Sequence, residues 1–392
     1  MNPAVITGLE NFRQNPPQEL KNQRLGLLAN PASVAGDFRH AVEIINESFP
    51  GQLSALFSPQ HGFYAEKQDN MIESSHTIHP RLNIPVYSLY SDTRIPTPDM
   101  FQDIDTLIVD IQDVGTRVYT FIYTISFCME TAAGLGKKVM ILDRPNPIGG
   151  IHVEGNLLEP EFASFVGRFP IPMRHGLTVG EISKFFSLEF NLGCDLSLIP
   201  MKGWTRKMLW QDTGLAWIPP SPNLPTPLSC SVYPGQVIFE GTNLSEGRGT
   251  TLPFEQFGAP FLDTGAIIQE TWGRIKGAHL REVNFEPTSG KWQNRVCRGF
   301  HIHILDPDRY RPYFSSLLLL QAILKFHPDE FQFKEPPYEY EYDRMPMDLI
   351  LGSQTLRQEI MEQKNLKDLE DNWCKGLNHF TSLSRKYHLY GG

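Results

Sequence analysis

Thr106-Leu107-Ile108-Val109-Asp110 runs directly into Ile111-Gln112-Asp113-Val114-Gly115-Thr116-Arg117, and this junction decides the fold. A short apolar, β-branched run closed by a polar loop reads as a strand buried on both faces. Such burial needs a layer on each side of the strand, which predicts a parallel sheet between helices.

The flanking sequence repeats the pattern. On the N-terminal side, Arg24-Leu-Gly-Leu-Leu-Ala29 is a short apolar run that ends in Asn30-Pro31-Ala32-Ser33, residues 40–48 have helical spacing, and Leu53-Ser-Ala-Leu-Phe57 makes a second strand. That strand turns abruptly polar at Ser58-Pro-Gln-His-Gly-Phe-Tyr-Ala-Glu-Lys-Gln-Asp-Asn70, and Ile84-Pro-Val-Tyr-Ser-Leu-Tyr90 is a further extended run. On the C-terminal side, residues 119–135 are apolar on most faces and predict a buried helix, and Lys137-Lys-Val-Met-Ile-Leu142 is a strand ending in Asp143-Arg-Pro-Asn-Pro147. Thr178-Val-Gly-Glu181 has the form of a capping box opening a helix, and Leu196-Ser-Leu-Ile199 returns as a strand. The sum is a doubly wound α/β unit.

Proline density then rises at Pro219-Pro220-Ser-Pro222-Asn-Leu-Pro225-Thr-Pro227, and the polar, glycine-rich residues 241–251 predict a hinge. Beyond it, Cys297-Arg-Gly-Phe-His-Ile-His-Ile304 alternates like a strand, residues 315–326 form an apolar helix, Glu335-Pro-Pro-Tyr-Glu-Tyr-Glu-Tyr342 reads as extended, and residues 356–373 as one charged surface helix. A smaller α+β domain is expected there, with domains at 1–231 and 232–392 and a cleft between them.

Composition narrows the function. With 41% hydrophobic and 20% charged residues over 392 positions, the chain can bury a sizeable core and is not of the disordered type. A net charge of -9 without a Lys/Arg stripe argues against nucleic acid as a partner. Cys128, Cys194, Cys230, Cys297 and Cys374 lie far apart with no C-x-x-C pair, so they read as reduced and mostly buried. The first residues lack a basic and then apolar leader, and no apolar run reaches a membrane span, which predicts a soluble protein with no membrane insertion. Its expected location is cytoplasmic as the chain stands, or periplasmic or secreted if a signal segment has been removed.

Cofactor signatures fail. Gly134-Leu-Gly136 precedes a strand instead of following one, so the dinucleotide fingerprint is missing and a nicotinamide is not expected. P-loop, G-x-S-x-G, H-E-x-x-H and calcium-loop patterns are absent, and His301 and His303, on one face of a strand, read as structural or surface residues. No cofactor and no metal are predicted. What remains is a series of strand-end loops bearing carboxylates, arginines, amides and aromatics: Glu66 and Asp69; Asp110, Asp113 and Arg117; Asp143, Arg144 and Asn146; then Glu154, Arg174, His175, Asn223, Glu240, Asn243, Glu246 and Arg248. Carboxylates among aromatic rings are the equipment of glycoside hydrolysis, although Asp–Arg pairs at strand ends also serve simply to hold loops together.

The ordered series Asn30-Pro-Ala-Ser33, Ser58-Pro-Gln-His-Gly-Phe63, Asp110-Ile-Gln-Asp-Val-Gly-Thr-Arg-Val-Tyr-Thr120, Leu142-Asp-Arg-Pro-Asn-Pro147, Val153-Glu-Gly155, Arg174-His-Gly-Leu-Thr178, Pro219-Pro-Ser-Pro-Asn223 and Phe239-Glu-Gly-Thr-Asn-Leu-Ser-Glu-Gly-Arg-Gly-Thr250 resembles the exo-β-N-acetylmuramidase family over nearly the whole chain. The resemblance implies a Rossmann-like N-terminal domain, a distinct C-terminal domain, a cleft between them, and release of N-acetylmuramic acid from the non-reducing ends of peptidoglycan fragments during cell-wall recycling. One departure stands out: the family commonly has Pro-Glu-His-Gly, with the glutamate as acid, where this chain has Pro59-Gln60-His61-Gly62. An amide cannot transfer that proton. Either the acid has moved, with Glu66 the expected replacement and Asp113 or Glu246 the stabiliser or base, or the substrate differs, or the protein binds glycans without cutting them. A lactyl carboxylate would pair with Arg117, Arg144 or Arg248, and amino-sugar hydroxyl and acetamido groups with Asn146, Asn223 or Asn243. Tyr119, Tyr123 and Trp217 are the stacking candidates, and Asn30, Asp143, Glu154, Arg174 and His175 complete the expected binding set.

Overall fold

The computed structural model describes residues 5–65, 67 and 71–392, so that Glu66 and Asp69 lie outside the described residues. The strands of the first half are β1 (Leu25–Ala29), β2 (Leu53–Ser58), β3 (Thr77–Ile78), β4 (Pro85–Ser88), β5 (Thr106–Asp110), β6 (Lys138–Leu142), β7 (Glu154–Leu157), β8 (Pro172–Arg174) and β9 (Asp195–Ile199). Among the described residues, seven of them make one sheet in the order β3-β4-β2-β1-β5-β6-β9, and β7 and β8 pair separately. Neighbours in the large sheet are parallel except β3 against β4.

β1 and β5 are buried at every position, as both-face coverage requires. Successive side chains point to opposite faces. Leu28, Leu107 and Val109 enter the core on one side, and Leu25, Leu27, Ala29 and Ile108 the core on the other. Parallel neighbours need crossovers, and helices Ala41–Ser48, Phe121–Gly134 and Val179–Glu189 supply them. The last opens on the expected capping box: Glu181 N donates to Thr178 Oγ1 (3.2 Å) and Thr178 N to Glu181 Oε2 (3.0 Å). The chain visits β2 and β4 on one side of β1 and then crosses to β5 on the other. The carboxyl ends of β1, β2 and β5 therefore meet at a topological switch point, where crevices form in such sheets.

The second half adds β10 (Gln256–Ala259), β11 (Ala278–Phe285) and β12 (Cys297–Ile304), antiparallel in the order β10-β12-β11. Helix Pro227–Gln236 packs so closely on helix Pro312–Phe326 that a Cβ at Gly235 would lie 2.0 Å from the Pro312 carbonyl oxygen, so only glycine fits. Among the described residues no helix is long and apolar enough to cross a membrane. The cysteines are free, with Cys128, Cys230 and Cys297 buried.

Three expectations change. Residues 241–251 are no loose hinge: Thr242, Leu244, Ser245 and Glu246 are buried, and Ser245 exchanges backbone hydrogen bonds with Gly258. Residues 356–373 are not one helix, because Gln363 adopts φ +58° and Asn365 caps a new start, giving Gln354–Met361 and Leu366–Ser384. The 335–342 stretch is not extended throughout: Tyr338 and Glu341 pair their backbones across Glu339 (φ +47°) and Tyr340 (φ +65°), a two-residue reversal of the primed-turn kind. Its aromatic–acidic alternation mimics a strand, but glycine-free residues with positive φ leave no mark in such a pattern.

Candidate active site

Two corners of one cleft are built from separate stretches of the chain and share one C-terminal turn. The first starts where β2 ends and the backbone is forced to turn at His61 (φ +77°) and Gly62 (φ +88°). Non-glycine residues at such angles store strain of roughly 1 kcal/mol or more, commonly near functional sites. Here Gln60 is nearly buried, and its amide orientation is set by its partners. Thr120 Oγ1 donates to Gln60 Oε1 (2.8 Å), while Gln60 Nε2 donates to Tyr90 Oη (3.1 Å) and to Glu339 Oε1 (3.1 Å). Tyr90 Oη, which also accepts from Met71 N (3.0 Å), donates to Glu339 Oε2 (2.6 Å). Burial, with Glu240 adding to it, pushes the Glu339 carboxyl up to about 7 against the lowering effect of these hydrogen bonds.

The second corner is Glu240 with Arg248, Glu246, Lys291 and Tyr338. Arg248 Nη2 donates to Glu240 Oε1 (2.7 Å) and Tyr338 Oη to Glu240 Oε2 (2.6 Å). Burial works against the charge on Glu240, yet the neighbouring Arg248 guanidinium and these hydrogen bonds hold its carboxyl below the ordinary value. Lys291 Nζ is clasped by the carbonyls of Phe239 and Leu244 and by Glu246 Oε2 (2.9 Å), and Arg248 Nε lies 3.3 Å from Glu246 Oε1. Adjacent residues of one tight turn thus reach both corners, Tyr338 to Glu240 and Glu339 to Gln60.

The cavity between them has a narrow inner chamber of about 30 Å³, bounded by Gln60, Tyr119, Thr120, Tyr233, Glu240 and Glu339. An outer chamber of about 410 Å³ is bounded by Glu246, Gly249, Lys291 and Lys334. Asn223, Glu240, Arg248 and Tyr338 line both. A wider groove of about 720 Å³ lies beside His40, Phe63, His79 and Arg81, and among the described residues no buried carboxylate lines it.

Of the residues expected from sequence, the cleft brings together Gln60, His61, Tyr119, Asn223, Glu240, Glu246 and Arg248. Glu66, expected as the acid, lies outside the described residues. The other described candidates do not line it. Arg117 is fully buried and donates to the carbonyls of Asn156, Ile171, Ile350 and Leu351 at 2.8–3.0 Å, so it ties the β5 loop to the C-terminal end of helix Pro346–Leu351. Arg144 makes a two-pronged pair with Asp110 (2.6 and 2.8 Å). Asp143 closes the first turn of helix Val179–Glu189 by accepting from Gly180 N and Thr178 Oγ1. Asn146 links Leu177 O to Ile148 N, and Asn30 reaches Gln112 O.

Asp113 accepts from Gly115 N and lies 3.6 Å from His175 Nε2, too far for a hydrogen bond. Glu154 accepts from Phe314 N in the first turn of helix Pro312–Phe326, where a carboxylate suits the helix dipole, and Arg174 donates to Ile148 O. Asn243 bridges Glu330 O and Gln332 N. Tyr123 stacks on Phe186 in the core, and Trp217 donates to Leu224 O. His301 and His303 are joined through Arg281.

Glu339, Tyr90, Thr120, Tyr338, Lys291 and Lys334 were not anticipated as site residues. The signal for Glu339 lay in Tyr338-Glu-Tyr-Glu-Tyr342, where acidic and aromatic residues alternate with no apolar partner to bury against.

A two-unit α/β protein with buried carboxylates facing each other across a polar, aromatic-walled cleft belongs among the carbohydrate-active proteins. The family model for the exo-β-N-acetylmuramidase NamZ N-terminal region matches residues 25–228, and that for the NamZ C-terminal region matches residues 231–390. The chain belongs to this exo-β-N-acetylmuramidase family. It is 40% identical over 390 residues to the peptidoglycan β-N-acetylmuramidase NamZ of Bacillus subtilis (strain 168), covering 99% of this chain and 92% of that protein. It is also similar to two crystal structures of DUF1343 family proteins from Bacteroides fragilis NCTC 9343. BF0371 aligns with a TM-score of 0.90 at 33% identity over all of both chains, and BF0379 with 0.77 at 29% over 99% of both.

Proposed function

We propose that this protein is a glycoside hydrolase that releases N-acetylmuramic acid from the non-reducing ends of peptidoglycan-derived saccharides. The observation that carries the reading is a pair of buried carboxyls bordering one inner chamber in opposed surroundings: Glu339 accepts from the uncharged Gln60 and Tyr90 and is raised to about 7, while Glu240 accepts from the Arg248 guanidinium and Tyr338 and is lowered. Glycoside cleavage needs one carboxyl that holds a proton and another that stays anionic beside a developing oxocarbenium ion, and environments that drive two carboxyls apart assign those roles. Glu240, anionic beneath Arg248 and Tyr338, suits the stabilising or attacking role. For the lactyl carboxylate of the sugar, Arg248, Lys291 and Lys334 supply positive charge around the outer chamber. Asn223 suits a hydroxyl or acetamido group, and Tyr119 and Tyr338 offer aromatic walls.

Incubation with a chromogenic N-acetylmuramide and with N-acetylmuramyl-N-acetylglucosamine tests the reading, with free sugar identified by mass spectrometry. Hydrolysis of both with N-acetylmuramic acid as product is expected. Binding of the disaccharide without cleavage of either compound would favour the non-catalytic glycan-binding alternative.

A further inference from the structure

We infer that Glu339 is the general acid of this cleft and that Gln60 is the positioning residue that presents it, so that the acid comes from the C-terminal turn and not from the loop after β2. The inference rests on the glycosidase reading and names its proton donor. Three independent features of the structure converge on it.

The first is connectivity. Among the described residues, Glu339 is the carboxylate hydrogen-bonded to the Gln60 amide, and both border the inner chamber. Thr120 holds the amide oxygen, so the amide nitrogen must face Glu339 and Tyr90. With both protons of Gln60 Nε2 and the hydroxyl proton of Tyr90 directed as donors, each Glu339 oxygen accepts one bond and keeps a second lone pair for a proton of its own.

The second is backbone geometry. Glu339 and Tyr340 both adopt positive φ, the sterically costly choice for residues with a Cβ, to bring this carboxyl inward. The turn is also pinned from behind. Arg344 donates to the carbonyls of Glu161 (2.7 Å) and Ala163 (3.1 Å), and Arg117 holds the following helix through Ile350 O and Leu351 O. Such anchoring fixes the carboxyl relative to the sheet, as a proton donor in the transition state requires.

The third is the charge environment. From its own turn Glu339 is faced by Tyr338 and Tyr340. From the end of β4 comes Tyr90, from the β2 loop Gln60 and His61, from the helix after β5 Thr120, and from the second corner Glu240, Arg248 and Tyr233. Arg94 lies over the Tyr340 and Tyr90 rings, and Tyr340 Oη donates to Glu73. Gln60 contributes a hydrogen bond and no charge. A carboxylate in its place would compete with Glu339 for one proton, as paired carboxylates do. Burial and Glu240 together keep Glu339 protonated up to about pH 7.

The step balances. As the C1–O bond breaks, its electron pair goes to the leaving oxygen, which takes the Glu339 proton and departs as the saccharide hydroxyl. Glu240 faces the positive charge left at C1. Water bonds to C1 and releases one proton, restoring the Glu339 acid.

The test compares kcat/KM of the full chain on N-acetylmuramyl-N-acetylglucosamine, whose leaving group needs protonation, and on 2,4-dinitrophenyl N-acetylmuramide, whose leaving group does not. Glu339→Gln is expected to lower the first by about 10²–10⁴-fold while leaving the second within about tenfold, and to remove the basic limb of the pH profile. Retained cleavage of the dinitrophenyl substrate also demonstrates a folded variant. Gln60→Glu, which keeps the side-chain shape, is expected to move the basic limb upward as two carboxyls share the site. Equal losses on both substrates in Glu339→Gln, or the leaving-group split appearing in Glu66→Gln instead, would overturn the assignment. Inertness of the unsubstituted protein towards both substrates would sink the glycosidase reading, and the acid with it.

Discussion

Asp143 and Glu339 are both buried carboxyls whose proton affinity is raised, to about 6 and about 7, yet they do different work. Among the described residues, Asp143 accepts from Arg144 N, Gly180 N, Thr178 Oγ1 and Tyr390 Oη, and it sits fully buried at a helix start. Glu339 accepts from Gln60 and Tyr90 and borders the inner chamber. Burial raises both, so a raised value alone does not mark a catalytic group. The marks are spare acceptor capacity and an opening towards a ligand. The contrast extends to whole regions. The strand-end loops of the large sheet are rich in charge but spend it on one another and on backbone groups, as in Asp110 with Arg144 and Arg117 with four carbonyls. The 335–341 turn and the 239–248 wall, from the other half of the chain, direct theirs into the cleft.

Substitutions can break that contrast, beginning with the largest effect. Glu240→Gln removes the anion facing C1 and should lower kcat/KM of the folded variant on a chromogenic N-acetylmuramide by about 10³-fold, and it also costs stability, because it takes the charge partner from the buried Arg248. A loss below tenfold would place the stabilising charge elsewhere. Arg117→Lys should show itself first in stability, since Arg117 meets no substrate and only anchors the helix that follows the Glu339 turn. It abandons several of the four buried carbonyl acceptors and costs about 3 kcal/mol of stability in denaturant unfolding, with KM of the surviving folded protein unchanged.

Asp143→Asn should cost about 1–2 kcal/mol through the lost helix-start acceptors, again without altering KM. It also carries a pH signature. Because the folded Asp143 holds its proton up to about 6, its contribution to stability is full below its ordinary carboxylate range and is lost as pH rises to about 6. The asparagine variant should lack that component of the stability–pH curve. The smallest effect is expected at the rim: Lys334→Ala should raise KM for an N-acetylmuramide several-fold, about 1 kcal/mol, and leave KM for the corresponding N-acetylglucosaminide unchanged, since only the former carries a carboxylate.

Much of the architecture was legible because it depends on local patterns. The apolar runs of β1, β5 and β6, the Thr178–Glu181 capping box and the alternating β12 each carry their period on the surface of the sequence. The β2 loop was legible as a strand-end loop at the switch point for the same reason, and its Gln60 and His61 border the inner chamber. The pairing across the cleft was not. Gln60 and Glu339 are 279 positions apart, and the turn that aims Glu339 is made by residues whose positive φ has no glycine or asparagine to announce it. Nor do residue types distinguish an arginine that binds a ligand from one that solvates carbonyls. Arg117 and Arg248 have the same chemistry and opposite surroundings, one enclosed by backbone oxygens and the other lining both chambers beside Glu240.

The central claim is that this cleft hydrolyses a glycoside with Glu339 as its proton donor, and the pH dependence of kcat/KM on N-acetylmuramyl-N-acetylglucosamine tests it most directly. That parameter reports the free enzyme, so the profile should fall on the basic side with a midpoint at about 7, as Glu339 loses its proton. In Tyr90→Phe, which deletes a hydrogen bond favouring the charged carboxylate, the midpoint should move upward. A profile flat from pH 6 to 9, or a basic limb unmoved by Tyr90→Phe, would contradict the account.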